Sequence, residues 1–219
     1  GVRFMLFLQG CPRRCMFCSN IDSTPLTGGK LTTTDEVLRR IESCAPYLRP
    51  NGGGVTISGG EPLLQAEFVA SIFKGAHEMG LTTCLDTTGY GGEAAWRAVL
   101  PHTDLVLCCL KATNAAAYKR ITQTHHSGAR SSGFLAYCQE HCQDFWLRYV
   151  LVPDHTDAPE DIHRLADIAH SYSHCKGVEL LPYHRLGVEK WHSMGLRYPL
   201  EDTPTPTAAA VREAAAVLE

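Results

Sequence analysis

The sequence predicts an α/β protein: parallel strands wrapped by helices into an open or partial barrel. Three observations lead there. First, short β-rich runs at Arg3–Gln9, Gly54–Ser58, Thr82–Thr87, Asp104–Leu110, Phe145–Val152 and Gly177–Pro182 alternate with helical periodicity at Thr34–Cys44, Gln65–Met79, Glu93–Leu100, Ala115–Thr122, Gly133–Gln143 and Ala158–Tyr172. Such repetition means parallel strands joined by crossover helices. Second, the strands read as apolar along their whole length, the pattern of strands covered on both faces. Third, 219 residues hold about six such units, whereas a closed eightfold barrel typically takes ~250 residues. A flat doubly wound sheet is the alternative. In both architectures the loops after the carboxyl ends of the strands carry the chemistry.

Each element has a local reason. Thr34, followed by Asp35 and Glu36, starts a helix with acids in its first turn. Residues 1–200 read as one core domain. Thr203-Pro204-Thr205-Pro206 reads as a linker, and the Ala-rich Thr207–Glu219 as a surface helix, so 201–219 form a C-terminal appendage. The chain begins at Gly1 and runs directly into apolar Val2–Leu8. We therefore expect the natural N-terminus, with any targeting peptide, to be missing. The expected setting is cytoplasmic, with an organellar origin open, and the expected state is a monomer.

Hydrophobic content of 44% and charged content of 20% are ordinary for a globular chain. A net charge of -3 without a basic run argues against a nucleic-acid partner. No apolar run approaches the ~20 residues of a membrane span. There are ten cysteines. A chain this long needs no disulfide framework, so those outside one cluster read as small buried hydrophobes. Cys138 and Cys142, four apart on a predicted helix, share a face. Cys108 and Cys109 are consecutive on a strand, so only one of them can face a pocket.

The exception is Gln9-Gly10-Cys11-Pro12-Arg13-Arg14-Cys15-Met16-Phe17-Cys18-Ser19-Asn20, directly after the first strand. Three thiolates in eight residues can wrap one metal centre, and thiolates select zinc or iron–sulfur. Structural zinc wants four protein ligands, and His102, Cys108 or Cys109 could approach only through folding. A 4Fe–4S cluster on three cysteines would leave one iron open for chemistry, where four thiolates are the usual complement. The spacing is compatible with both.

The C-x3-C-x2-C loop, with Phe17 before its last cysteine, resembles the radical S-adenosylmethionine (SAM) superfamily. A second signature, Ser58-Gly59-Gly60-Glu61-Pro62, follows the next strand, where that superfamily receives the amino group of the methionine. Glycines permit close backbone approach and a carboxylate can accept from an ammonium. The match is closer to one subgroup, the pyruvate formate-lyase activating enzymes. It runs through Leu64–Val69, Thr83-Cys84-Leu85-Asp86-Thr87, Leu147-Arg148-Tyr149-Val150, Leu181-Pro182-Tyr183-His184-Arg185-Leu186-Gly187, Lys190-Trp191 and Met194-Gly195. About forty residues without a cysteine cluster separate Cys18 from Gly59, as in relatives lacking a ferredoxin-like insert.

The resemblance implies a partial (β/α)6 TIM-like barrel of the radical SAM type. It implies a 4Fe–4S cluster on Cys11, Cys15 and Cys18 whose open iron chelates SAM. It also implies a flavodoxin or ferredoxin as electron donor, and a 5′-deoxyadenosyl radical that takes hydrogen from a glycine of pyruvate formate-lyase or a related glycyl radical enzyme. A radical enzyme acting on a small molecule, or a zinc-binding interaction module without turnover, are the rival readings. Carried over by position, Phe17, Ser19 and Asn20 lie beside the cofactor, and Gly59, Gly60 and Glu61 hold the methionine. His184 contacts ribose or carboxylate. Lys111 and Arg148 sit in the pocket near the cofactor or the incoming glycine loop, and Leu110 lies on the cofactor side. Judged alone, Lys111 and Arg148 read as solvated charges and His184 as a packed or surface histidine. Two departures stand out. In the family an aspartate on the fourth strand joins the position of Asp86 in holding a monovalent cation; here Cys109 stands there, and a neutral thiol is a poor ligand for a hard cation. The stretch Thr122–Arg130, Thr-Gln-Thr-His-His-Ser-Gly-Ala-Arg, replaces a glycine-containing loop.

Overall fold

A computed structural model describes residues 1–125 and 128–218. Six strands, β1 (Arg3–Leu8), β2 (Gly54–Gly59), β3 (Thr82–Thr87), β4 (Leu105–Cys109), β5 (Phe145–Leu151) and β6 (Cys175–Pro182), form one sheet in the order β1-β2-β3-β4-β5-β6. Every neighbouring pair is parallel. The helices are α1 (Thr34–Leu48), α2 (Ala66–Glu78), α3 (Glu93–Val99), α4 (Ala115–Thr122), α5 (Ala129–Glu140), α6 (Pro159–His170), α7 (Val188–Ser193) and α8 (Ala208–Leu218). Each predicted strand and helix is present within a few residues of its expected ends.

The helix α1 starts at Thr34, as predicted. Thr33 is the cap: its hydroxyl accepts from Glu36 N at 3.2 Å, and the Glu36 carboxylate accepts from Thr33 N at 2.9 Å. This reciprocal capping box satisfies two otherwise orphan donors. Val37, Ile41, Ala45 and Leu48 then recur on one helical face and are buried.

The strands are not covered on both faces, as a uniformly apolar reading implied. One side chain set, including Leu6, Ile57, Leu85, Val106, Leu147 and Leu180, packs with the helices into the main core. The other set faces the hollow of the curled sheet. There Met5 is 46%, Phe7 54% and Trp146 38% exposed, and β5 alternates between buried and more exposed positions. The crossover helices pack against one face of this curved sheet, so the concave face stays open. Ser58, Asp86, Cys109 and Arg148 occur at inward-pointing parity along their strands.

A second apolar cluster caps the carboxyl end of the sheet. It joins Cys15, Phe17 and Ile21 to Tyr183, Val188, Trp191, Tyr198 and Leu200. The C-terminal helix α8 buries Ala214 in the main core, with Val211, Val217 and Leu218 packed against it. The pairing expected for Cys138 and Cys142 does not form. Cys138 is fully buried on α5, but the helix stops at Glu140 and Cys142, at φ 53°, is exposed where the chain turns toward β5. Among the described residues no helix is long and apolar enough to cross a membrane.

The two faces should respond differently to truncation. Ile57→Ala, on the packed face, should cost about 2–5 kcal/mol. Met5→Ala, on the open face, should cost less than about 1 kcal/mol. Urea unfolding of the two variants checks this; equal losses would mean the concave face is packed.

Candidate active site

The loop after β1 is held by its backbone from both sides. Gly10 N donates to Ser23 O at 2.8 Å and Cys11 N to Thr24 O at 3.0 Å, while Arg14 N and Met16 N reach Thr122 O and Ile121 O at 3.0 and 2.9 Å. The chain around α7 clamps it from above. Trp191 Nε1 donates to Cys18 O at 2.8 Å, and Lys190 Nζ to Asn20 Oδ1 at 3.0 Å and to Asp22 Oδ1 at 3.1 Å. Gly187 lies so close that a Cβ there would come 2.6 Å from Ser19 Cα.

The turn after β2 meets the same loop from below. Gly60 N donates to Leu8 O and Glu61 N to Gly10 O, both at 2.7 Å. A Cβ at Gly60 would sit 2.1 Å from the Gly10 carbonyl oxygen, and Gly59 has φ +107°. Both positions therefore require glycine.

Cys11, Cys15, Cys18, Phe17, Ser19 and Asn20 line one cavity of about 230 Å³ together with Ser58, Gly59, Gly60, Asp86, Cys109, Lys111 and Arg148. His184 is exposed and lines an adjoining recess of about 310 Å³, which shares Phe17, Ser19 and Arg148 with the first. A larger cavity of about 750 Å³ beside β1, lined by Phe7, Leu26 and Leu31 among others, contains none of the three thiols.

Two residues expected at the cofactor are elsewhere. Leu110 is 6% exposed and packs in the main core, because alternation along the strand turns it away from the side that Cys109 and Lys111 share. Glu61 is fully buried and does not line the cavity. Its carboxylate accepts from Leu63 N at 3.2 Å, from Thr88 N at 3.0 Å and from the hydroxyls of Thr87 and Thr88. Its lone pairs are spent on the protein, so Glu61 shapes the turn while the Gly59–Gly60 backbone faces the cavity.

The donor set suits a multi-iron cluster. Three thiols, the ligands that iron–sulfur centres select, wall one cavity, and because four thiolates are the usual complement, a cluster held by these three would keep one iron open. Burial pushes the Cys11 thiol up to about 11 and raises Cys15 and Cys18 as well, so these thiols keep their protons until metal displaces them.

On the cavity floor, Asp86 accepts from Ser58 Oγ at 2.8 Å and from Arg148 Nη1 at 3.3 Å, and Cys109 Sγ donates to its other oxygen at 3.5 Å. Arg148 Nε also reaches Glu179 at 2.7 Å. Burial pushes the Cys109 thiol up to about 12. A protonated thiol and a guanidinium around one carboxylate do not fit a monovalent cation; Arg148 already supplies the positive charge. Lys111 Nζ lies 5.5 Å over the Phe17 ring. Burial works against its charge, but Cys109, Cys15 and Asp86 outweigh that and raise its pKa above the ordinary value.

Ser58, Glu179, Lys190, Trp191 and Arg13 were not singled out from sequence as site residues. Period-two counting along the strands marks Ser58 and Glu179. Nothing local distinguishes buried Arg13 from exposed Arg14. In the divergent Thr122–Arg130 stretch, His126 and Ser127 lie outside the described residues.

Residues 5–166 match the Radical SAM superfamily. The chain is 42% identical over 202 residues to the pyruvate formate-lyase-activating enzyme of Clostridium pasteurianum, covering 92% of this chain and 84% of that one. It is 35% identical over 221 residues to the pyruvate formate-lyase 1-activating enzyme of Escherichia coli K12, covering 100% and 89%. Among solved structures, a domain of a pyruvate-formate lyase-activating enzyme from Bacteroides vulgatus has TM-score 0.63 at 23% identity, covering 76% of this chain and 93% of that one. Streptococcus suis SuiB bound to S-adenosylmethionine has TM-score 0.75 at 13% identity, covering 98% and 46%; at such identities both show the fold alone. The chain is a member of the radical SAM superfamily, and within that superfamily it belongs to the pyruvate formate-lyase activating enzymes.

The Asp86 geometry makes a prediction. SAM affinity should be equal in potassium and choline buffers, and Cys109→Asp should make it dependent on the monovalent cation. Equilibrium binding in the two salts measures this; a potassium requirement in the unsubstituted protein would contradict the arrangement.

Proposed function

We propose that this chain installs the glycyl radical of pyruvate formate-lyase or a related glycyl radical enzyme, using one electron from a flavodoxin or ferredoxin. The observation that carries the reading is that the three thiols and the Gly59–Gly60 backbone wall the same cavity, over a floor of Asp86, Cys109 and Arg148. When bound, the cluster supplies the electron that splits the sulfonium bond of SAM to a 5′-deoxyadenosyl radical, which takes a hydrogen atom from the partner's glycine.

The chain's own residues hold and orient. Cys11, Cys15 and Cys18 would ligate the cluster, leaving one iron for SAM. The Gly59–Gly60 backbone and Ser19 would receive the methionine end, with Phe17 and His184 toward adenosine. Asn20, tied to Lys190, keeps the loop's exit in place. Lys111 supplies a positive charge near Cys15, beside the thiolates. Arg148, paired on two sides with Asp86 and Glu179, would hold a fixed guanidinium on the cavity floor. That open concave face would admit the glycine-bearing loop, and the apolar cap from Tyr183 to Leu200 would keep water from the radical.

Anaerobically reconstituted protein mixed with SAM, reduced flavodoxin and pyruvate formate-lyase should produce a glycyl doublet in electron paramagnetic resonance (EPR). Release of 5′-deoxyadenosine with a metabolite, and no doublet, would instead favour a small-molecule substrate. Cys15→Ala should abolish bound iron and acid-labile sulfide, whereas Cys108→Ala, in the core, should retain both. Stoichiometric zinc without sulfide in the unsubstituted protein would overturn the assignment.

A further inference from the structure

The two consecutive arginines of the cysteine loop have opposite fates: Arg14 is exposed, while the Arg13 side chain is 3% exposed. Arg13 stands between Cys11 and Cys15, and its guanidinium points away from solvent into the space beneath the loop. Nε donates to Tyr118 Oη at 2.7 Å, and Nη1 donates to Thr88 Oγ1, which in turn donates to Glu61. Nη1 lies 3.7 Å from Glu61 Oε2, and Glu61 is 0% exposed. The guanidinium also lies 5.0 Å over the Tyr90 ring and 5.8 Å over that of Tyr118.

A charge buried this completely is costly unless it is paired and hydrogen-bonded. Arg13 and Glu61 satisfy that condition for each other; among the described residues no other ion pair involves either of them. The pair joins four separate pieces of the site: the cysteine loop after β1, the Gly59–Gly60–Glu61 turn after β2, Thr87-Thr88 after β3, and Tyr118 on α4. A shift of Glu61 moves the glycine turn, and a shift of Arg13 moves both flanking cysteines.

We propose that Arg13 is a positioning residue which locks the cysteine loop to the glycine turn, and that its charge, balanced by buried Glu61, sets the electrostatic environment of the thiols on either side. This rests on the reading of Cys11, Cys15 and Cys18 as cluster ligands. A cation beside the cluster favours the added electron, and a buried carboxylate opposes it, in a medium where charges are weakly screened. Glu61 does not line the cavity that would hold SAM, and Arg13 borders it only as a 3% exposed side chain whose polar atoms are turned to Tyr118, Thr88 and Glu61, so both act through the backbone and through charge.

The test compares reconstituted holoenzymes carrying Arg13→Met, Arg13→Lys, Glu61→Gln, and Arg13→Met with Glu61→Gln together. Iron and sulfide content, cluster reduction potential by EPR-monitored titration, and SAM affinity from the change in the cluster spectrum are read in each. Arg13→Met should move the potential to more negative values and weaken SAM binding by about tenfold, as loss of a supporting contact around a metal site typically does. Glu61→Gln should move the potential the opposite way, and the double variant should return toward the unsubstituted value. Arg13→Lys keeps the charge without the planar fork, so the potential should hold while SAM affinity stays weakened. A merely structural role would lower melting temperatures and leave the potentials unmoved. Unchanged potential and affinity in Arg13→Met, or shifts of the same sign in Arg13→Met and Glu61→Gln, would overturn the proposal. Should Arg13→Met fail to load, Glu61→Gln and Arg13→Lys carry the test, and an unmoved potential in Glu61→Gln refutes it. An unsubstituted protein that binds no cluster would refute the functional reading itself.

Discussion

Where the turn after β2 passes under the loop after β1, the two backbones touch. Glu61 N donates to Gly10 O, and there is no room for a Cβ at Gly60. Much of the site depends on this contact. It brings the residue before Cys11 onto the end of the sheet. It sets Gly59 and Gly60 as a wall of the cavity, and it forces the Glu61 side chain downward into the Thr87-Thr88 turn. With the loop held from below, the α7 segment can clamp it from above through Trp191 and Lys190. A loop with little regular structure of its own is thereby fixed on rigid elements, as preorganised chemistry requires.

The second organising feature is the uncovered inner face of the sheet. A flat doubly wound sheet would bury both faces and would have no place for Asp86, Arg148 and Glu179 at their register positions. Here they line a hollow and neutralise one another: Asp86 takes Ser58, Cys109 and Arg148, and Arg148 takes Glu179. The thiol at position 109 is accommodated because a guanidinium stands at the same carboxylate. Asp86 and Arg148 are only 16% and 22% exposed, so their mutual attraction is screened less than that of the same groups on the surface.

Much of this was legible in the sequence, for identifiable reasons. The cysteine loop is legible because its ligands are local: three thiols within eight residues need no tertiary information to suggest a shared centre. The six strands and their crossover helices are legible from composition and periodicity. The direction of a side chain at an element's end is less so. Leu110 was placed with its neighbours at the cofactor, yet strand alternation buries it. Cys142 was assigned to a helix that stops two residues earlier. Glu61 was read as a ligand because a carboxylate in a glycine turn has the right chemistry, but four donors from residues 63, 87 and 88 claim it first. Two of those residues come from the next strand's end, which no local pattern could reveal.

The sequence by itself determined the alternation of parallel strands and helices, the three-thiol loop, the glycine turn and the resemblance that named the family. These depend on spacing, period and residue type, which are properties of contiguous chain. Tertiary structure alone decided which face of the sheet stays open, that Arg148 takes the charge-balancing place at Asp86, and that Arg13 is buried while Arg14 is not. Those outcomes depend on residues 62 and 105 positions apart in the chain, Asp86 with Arg148 and Arg13 with Tyr118 respectively. Burial and charge pairing are settled by what lies across space, and only the closed fold specifies that.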